Sequence, residues 1–255
     1  YQLNKYLNLK ANIGRGFRAP NIAELSSNGV HEGVFRYEIG NADLLPEKSL
    51  QLDAAIEVQT ERIDLSFDVY RNYINDFIYL RRINNETTAS DGEEVPVYRY
   101  VQGRAELYGF EFSIDVHIFK SLHFENAIAM VIAENKDTKT PLPFTPPGTI
   151  HNELRLDLPS IKGWLNKPFI SGSIDNHLKQ DRIDQFETPT DSYSLINLHA
   201  GTTLKVFKLA PVLNISVDNL LNTKYYEHLN RLKYAGILNR GRNVTVSLTV
   251  PFGSK

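Results

Sequence analysis

The feature that most constrains this chain is a side-chain period of two that persists over long stretches. Leu7, Leu9, Ala11, Ile13 and Phe17 are separated by Asn8, Lys10, Asn12 and Gly14. Leu50, Leu52, Ala54, Ile56 and Val58 alternate with Gln51, Asp53, Ala55 and Glu57, and Ile63, Leu65, Phe67 and Val69 with Arg62, Asp64, Ser66 and Asp68. Phe110, Phe112, Ile114, Val116 and Ile118 stand opposite Glu111, Ser113, Asp115 and His117. Successive side chains of a strand point to opposite faces, so these rows make one face oily and the other wet. Similar alternation covers roughly 121–134, 149–158, 168–180, 192–207, 210–218 and 242–252, which gives about ten strands and no helix of core length.

A soluble antiparallel sandwich also alternates. Two features weigh against it. Residues 61–82 and 95–118 hold strand character for about 20 residues, where soluble strands run about 5–6. The connections also alternate in length. Short turns fall at Gln59-Thr60-Glu61, Lys120-Ser121 and Lys208-Leu209, with a medium one at 159–167. Long polar loops fall at 18–46, 83–95, 135–148, 181–191 and 219–241. Short turns at one end and long loops at the other is the outer-membrane pattern, with the short side periplasmic. No window approaches about 18 consecutive apolar residues, so no helix spans a bilayer, but a barrel strand needs only about 9–11 residues, alternate ones facing lipid. The expected fold is an all-β, antiparallel, up-and-down transmembrane β-barrel.

Other classes recede. The net charge of −2, with both signs interspersed, gives no basic footprint, so no nucleic-acid partner is expected. The absence of cysteine excludes a disulfide scaffold and cysteine-ligated zinc. There is no phosphate-binding loop, dinucleotide fingerprint or nucleophile elbow. Alternating carboxylates on a wet face (Asp53, Glu57, Asp64, Asp68, Glu111, Asp115) need no catalytic explanation, and no enzyme is expected.

Five segments, in order along the chain, resemble those of TonB-dependent outer-membrane receptors. They are Asn12 to Leu25 (NIGRGFRAPNIAEL), Glu38 to Glu57 (EIGNADLLPEKSLQLDAAIE), Val101 to Asp115 (VQGRAELYGFEFSID), Val217 to His228 (VDNLLNTKYYEH) and the closing Gly241 to Phe252 (GRNVTVSLTVPF). The resemblance implies a bacterial outer-membrane protein and a barrel of about 22 strands around a plug. Residues 1–255 then form a single piece, the last ten or so strands, without the plug and early strands. Family members usually end on an aromatic residue, whereas here Gly253-Ser254-Lys255 follow Phe252. The implied function is import of a scarce cargo (iron–siderophore, haem or zinc) with energy from TonB. A passive channel or adhesin barrel is the alternative, and a membrane-embedded hydrolase the third. The implied partners are outer-membrane lipid, the plug and early strands, and TonB. No cofactor is expected, since zinc, iron chelate or haem would be cargo.

The loop after the first strand carries the strongest cargo signal. His31, Glu32, Tyr37 and Glu38 fall within eight positions. Imidazole and carboxylate together suit zinc or iron, and His or Tyr can ligate haem. His31 and Glu32 are the candidate metal ligands, with Arg18, Tyr37 and His228 as further cargo contacts. Arg15 and Arg18 bracket Phe17 at the lip, where they could attract an anion or anchor the loop. His117 and His123, which flank a short turn, and His151, His177 and His199, on strands, read as ordinary polar wall residues. Gly103 and Gly109 read as a bend or bulge within their strand.

Overall fold

The computed structural model describes residues 1–31, 36–90, 93–185, 187–205 and 210–251. Ten strands build a wall in which each pairs antiparallel with the next along the chain. They are β2 (Leu7–Arg18), β5 (Glu47–Gln59), β6 (Ile63–Ser90), β7 (Glu93–Phe119), β8 (Leu122–Asn135), β10 (Thr149–Asp157), β11 (Leu165–His177), β12 (Tyr193–Leu204), β13 (Val212–Asp218) and β14 (Asn243–Thr249). A three-residue strand, β1 (Gln2–Asn4), pairs with β2 at one edge, and β14 forms the other. The sheet is thus open. Three short strands lie off this path: β3 (Asn28–His31), β4 (Arg36–Ile39) and β9 (Thr140–Pro141). Among the described residues the α-helix is α1 (Ile22–Ser26), and no helix there is long and apolar enough to cross a membrane.

Register turns the period of two into two continuous faces. One row runs Leu9–Ile56–Phe67–Phe112–Ile128–Ile150 across six strands. The row one residue further on along β2 runs Lys10–Ala55–Asp68–Glu111–Ala129–Thr149. The apolar face is bare: Ile13 is 70% exposed and Val246 66%. An oily face of this breadth is far beyond the few hundred Å² that a water-soluble monomer exposes, and lipid is the solvent that fits it. From Tyr108 to Ile118 the outward row of β7 spans ten residue steps. At about 3.3 Å per residue and a tilt near 45°, that is roughly 23 Å of bilayer, against an apolar band of about 25 Å.

Both ends of the band carry the residues expected at a membrane surface. At the short-turn end, Phe119 and Trp164 are exposed. At the long-loop end, the Arg71 guanidinium lies 5.1 Å from the Tyr73 ring centre and 6.0 Å from that of Tyr108. Arg71 also pairs with Glu106, whose other oxygen holds Lys136 at 2.7 Å. Glu106 is only 2% exposed, and two cations make that burial tolerable. Within the band, the polar Asn126 turns its amide onto Asn152 Oδ1 at 2.9 Å and the His151 carbonyl at 3.0 Å.

The wet face is knitted by hydrogen bonds. Asn12 and Gln51 both donate to Asp53, at 3.1 and 2.6 Å. Lys10 pairs with Glu57 across β2 and β5. Asp175 takes His151 at 2.5 Å on one oxygen and Asn197 at 2.6 Å on the other.

Two expectations change, and the start of the first strand is defined. Residues 83–90 and 93–95 are strand rather than loop, because β6 and β7 continue as a ribbon past the membrane band. The first strand begins at Leu7; Gln2–Asn4 belongs to its neighbour, with Asn4 Oδ1 accepting the Tyr6 amide at 2.8 Å in the turn between them. The two glycines differ from each other. Gly103 adjoins a break in register between Ile74 and Phe77, as a bulge would. Gly109 sits in unbroken register opposite Tyr70, whose hydroxyl would lie 2.6 Å from an added Cβ. It is a seat for the Tyr70 ring. The turn at Lys208-Leu209 lies outside the described residues.

Candidate functional site

The long connections gather at one end of the wall, and side-chain chemistry fixes each of them. β2 ends in Arg18, which opens a loop that would otherwise hang free. Its guanidinium gives Nε and Nη2 to the two Glu47 oxygens at 2.8 and 2.7 Å, and Nη1 to both Glu24 oxygens at 2.9 Å. Glu24 is held in place by a capping box: Asn21 Oδ1 accepts the Glu24 amide and Glu24 Oε2 accepts the Asn21 amide. Gly40 then packs on the end of α1, where an added Cβ would stand 2.6 Å from the Ser26 nitrogen. Glu47 also receives the Ile78 amide at 2.8 Å, so one carboxylate joins the end of β2 to β6, while Arg18 carries the link on to α1.

The ribbon carries a second layer. β3 and β4 form a hairpin, and β4 adds in parallel to β7 with Tyr37 opposite Val97 and Ile39 opposite Arg99. Beneath it Val95 and Val97 are buried, and Glu38 is nearly enclosed, bonded to Arg36 at 2.6 Å and to the Tyr100 hydroxyl at 3.1 Å. Glu38, one of the two carboxylates that the sequence grouped with His31, therefore belongs to the packing of the hairpin.

A third cluster ties the later loops together. His228 is 4% exposed. Its Nδ1 lies 2.9 Å from Thr190 Oγ1 and 3.3 Å from Lys233 Nζ, and its Nε2 lies 3.7 Å from Glu187. A cation beside Nδ1 leaves that nitrogen as the acceptor and puts the proton on Nε2, toward Glu187. Burial, then the Lys233 charge, pulls the His228 pKa down to about 4. Glu187 also receives the Phe144 amide at 2.8 Å, and Gln180 gives its side-chain amide to the Thr145 carbonyl at 2.9 Å. Connections from 136–148, 178–185 with 187–192, and 219–242 are thereby fastened at one point. Beside them His177 stacks on Tyr193 at 4.4 Å, and Tyr193 meets Tyr225 at 4.5 Å.

Between the ribbon and this cluster lies a cavity of about 470 Å³ whose lining includes Tyr79, Arg81, Arg82, Asn135, Thr138 and Asp184. Burial pushes the Asp184 carboxyl up, while the nearby Arg81 works against that shift. Two guanidiniums with phenol, amide and hydroxyl groups suit an anionic, oxygen-rich ligand.

The residues singled out in the sequence are distributed across this end. His31 is exposed on the last residue of β3, paired in register with Arg36. Tyr37, on the facing strand, gives its hydroxyl to Asn28 at 2.9 Å. Arg18 has its donors engaged by two carboxylates, and His228 is enclosed by its neighbours. Glu32 lies outside the described residues. Sequence reasoning missed Tyr79 and Arg81, which read as part of a long strand; their departure from apolar alternation was the available signal.

Comparison with known proteins agrees with this architecture. Residues 1–220 match the family model described as TonB dependent receptor-like, beta-barrel. A curated relative, the probable TonB-dependent siderophore receptor PirA of Acinetobacter baumannii, is 25% identical over 180 residues, covering 62% of this chain and 24% of the relative. Among solved structures, the copper transporter OprC superposes with a TM-score of 0.81 at 19% identity, over 99% of this chain and 38% of that one. A mutant of the ferric enterobactin receptor PfeA from Pseudomonas aeruginosa, in complex with enterobactin, superposes at 0.70 with 19% identity, over 98% of this chain and 39% of that one. The chain thus spans about a quarter of the curated relative and about two-fifths of these structures.

Proposed function

Since the chain belongs to the TonB-dependent receptor-like β-barrel family, whose members are receptors and transporters of the bacterial outer membrane rather than enzymes, we propose that it forms part of the wall and mouth of an energised importer of an anionic iron chelate. The observation that carries this reading is a bilayer-length wall with one wet face, roofed at one end by pinned loops that leave a cavity lined by Arg81, Arg82 and Tyr79. A ferric siderophore presents a ring of oxygen atoms and commonly a negative charge, which guanidinium and phenol groups recognise. The siderophore receptor among the relatives supports the same cargo class.

In this proposal the early strands pair with the two open edges to close the barrel, the wet face surrounds a plug, lipid surrounds the apolar face, and TonB acts on the plug. Exposed His31, with Tyr37 on the facing strand, gives a first contact on the β3–β4 hairpin, and Glu32 stays a candidate from the sequence alone. Arg18 and His228 act indirectly by holding the loops. The test is titration of the purified full coding product, in detergent, with a ferric siderophore panel, haem and Zn²⁺. Binding of a ferric siderophore that weakens at least about tenfold in Arg81→Ala supports the reading. Saturable binding of haem or Zn²⁺ alone replaces the cargo class, and ion conductance without any cargo binding favours a passive channel.

A further inference from the structure

The periplasmic hairpin between β7 and β8 brings together a donor set that the import reading does not use. Asp115 and His117 are two apart on β7 and share its wet face, and His123, early in β8, is the direct cross-strand partner of His117. The two imidazoles meet edge to face, 4.5 Å between ring centres at 74°. Asp115 Oδ1 lies 3.9 Å from His117 Nε2. One donor atom from each of Asp115, His117 and His123 falls within 4.8 Å of the others. From β10, Asp157 brings Oδ2 to 3.2 Å from His123 Nε2.

Two of these atoms are anomalous. Asp115 Oδ1 and His123 Nε2 are shielded from solvent, yet neither has a hydrogen-bond partner. The Asp157 oxygen is near enough to His123 for attraction but lies outside hydrogen-bond geometry, so the distance and the missing bond are compatible. Buried polar atoms are nearly always satisfied, and two orphans aimed into one cluster call for something to fill it. Arg155 is the neighbouring cation, but it gives its Nε to Asp157 at 3.0 Å and lies over the Phe169 ring at 3.8 Å.

We propose that Asp115, His117 and His123, with Asp157 as fourth donor, form a site for one divalent transition-metal ion at the periplasmic mouth of the wall. Two imidazoles and two carboxylates are the ligand types that zinc takes, and copper(II) and nickel(II) accept the same nitrogens and oxygens. Bonds of about 2.0–2.2 Å place tetrahedral donors roughly 3.3–3.6 Å apart, so the ion closes the cluster by small side-chain rotations with the backbone fixed. The ion bridges three strands: β7 and β8 across their turn, and β10 through Asp157. It ties the end of the wall that lacks long loops, and it is separate from any cargo site at the opposite end.

The experiment uses the full coding product, stripped with chelator and held in detergent. Cu²⁺ is titrated with electron paramagnetic resonance as the readout, and Zn²⁺ competes. The proposal expects one equivalent with two-nitrogen hyperfine structure. In His123→Ala and in the shape-conserving Asp115→Asn that equivalent weakens at least about tenfold, while cargo binding at the loop end is unchanged. Heat-modified gel mobility checks that each variant is folded. A stripped wild type that takes up no Cu²⁺ or Zn²⁺ overturns the proposal, as does an equivalent that survives unaltered in the His117→Ala, His123→Ala double variant.

Discussion

Arg18 and Glu47 face each other as the last pair of the β2–β5 ladder, and the guanidinium meets the carboxylate with two parallel bonds of 2.8 and 2.7 Å. The same guanidinium holds Glu24 and so anchors α1, at the start of the connection, to the wall. Arg18→Lys cannot supply three directed donors from one planar group. It should leave the barrel assembled and loosen α1 by about 1–2 kcal/mol, the lower range being set by solvent on one side of the fork. Limited proteolysis should then cut within 19–31 faster in the variant. Unchanged cleavage there would mean that the loop is held by other contacts.

His228 makes the cap sensitive to acid. Its pKa falls from 6.5 to about 4 in the folded cap, through burial first and Lys233 second. A folded pKa below the unfolded value means stability that is complete above about 6.5 and is lost as pH drops toward 4. Hydrogen exchange in 178–185, 187–192 and 219–242 should accelerate across that window while β7 and β8 stay protected. His228→Gln should flatten the response between pH 6.5 and 4.

Gly109 predicts a packing defect. A methyl group there would stand 2.6 Å from the Tyr70 hydroxyl, and it would also press on the Met130 carbonyl, which is backbone and cannot turn away. Gly109→Ala should destabilise the folded wall by about 1–3 kcal/mol. Tyr70→Phe combined with it should recover only a part, since the Met130 clash remains. Urea unfolding in detergent or lipid measures both.

His31→Ala tests the exposed tip of β3. The side chain packs on nothing that the fold needs, so stability should change by less than about 0.5 kcal/mol. Affinity for the cargo identified by titration should fall. An unchanged isotherm would remove His31 from the contact surface and leave the Arg81 cavity as the binding element.

The wall was legible because lipid on one side and water on the other write directly onto every second residue, and ten strands follow from that rule. What lay outside the bilayer was harder to read. The β6–β7 ribbon beyond Arg82 has water or loops on both faces, so its strands lose the alternation that identifies them. The roles of Arg18, Glu38 and His228 depend on partners that the chain brings from 29, 62 and 38 residues away. A histidine in a polar loop looks alike in sequence whether it is exposed, as His31 is, or enclosed, as His228 is. The pairing of His117 with His123 was visible as a hairpin, but the orphaned atoms between them required coordinates.

The most direct test of the account follows β7 through the bilayer. The chain has no cysteine, so single cysteines from 108 to 118, placed in the full coding product freed of any other cysteine, can each carry a nitroxide in the protein reconstituted in lipid. Oxygen, which concentrates in the bilayer, should relax the labels at 110, 112, 114 and 116. A water-soluble nickel chelate should relax those at 111, 113 and 115. A strict two-residue oscillation, with the two relaxants in opposite phase, is the predicted result. Uniform accessibility along the strand, or shielding of the even positions from both relaxants, would contradict a wall that meets lipid on one face and water on the other.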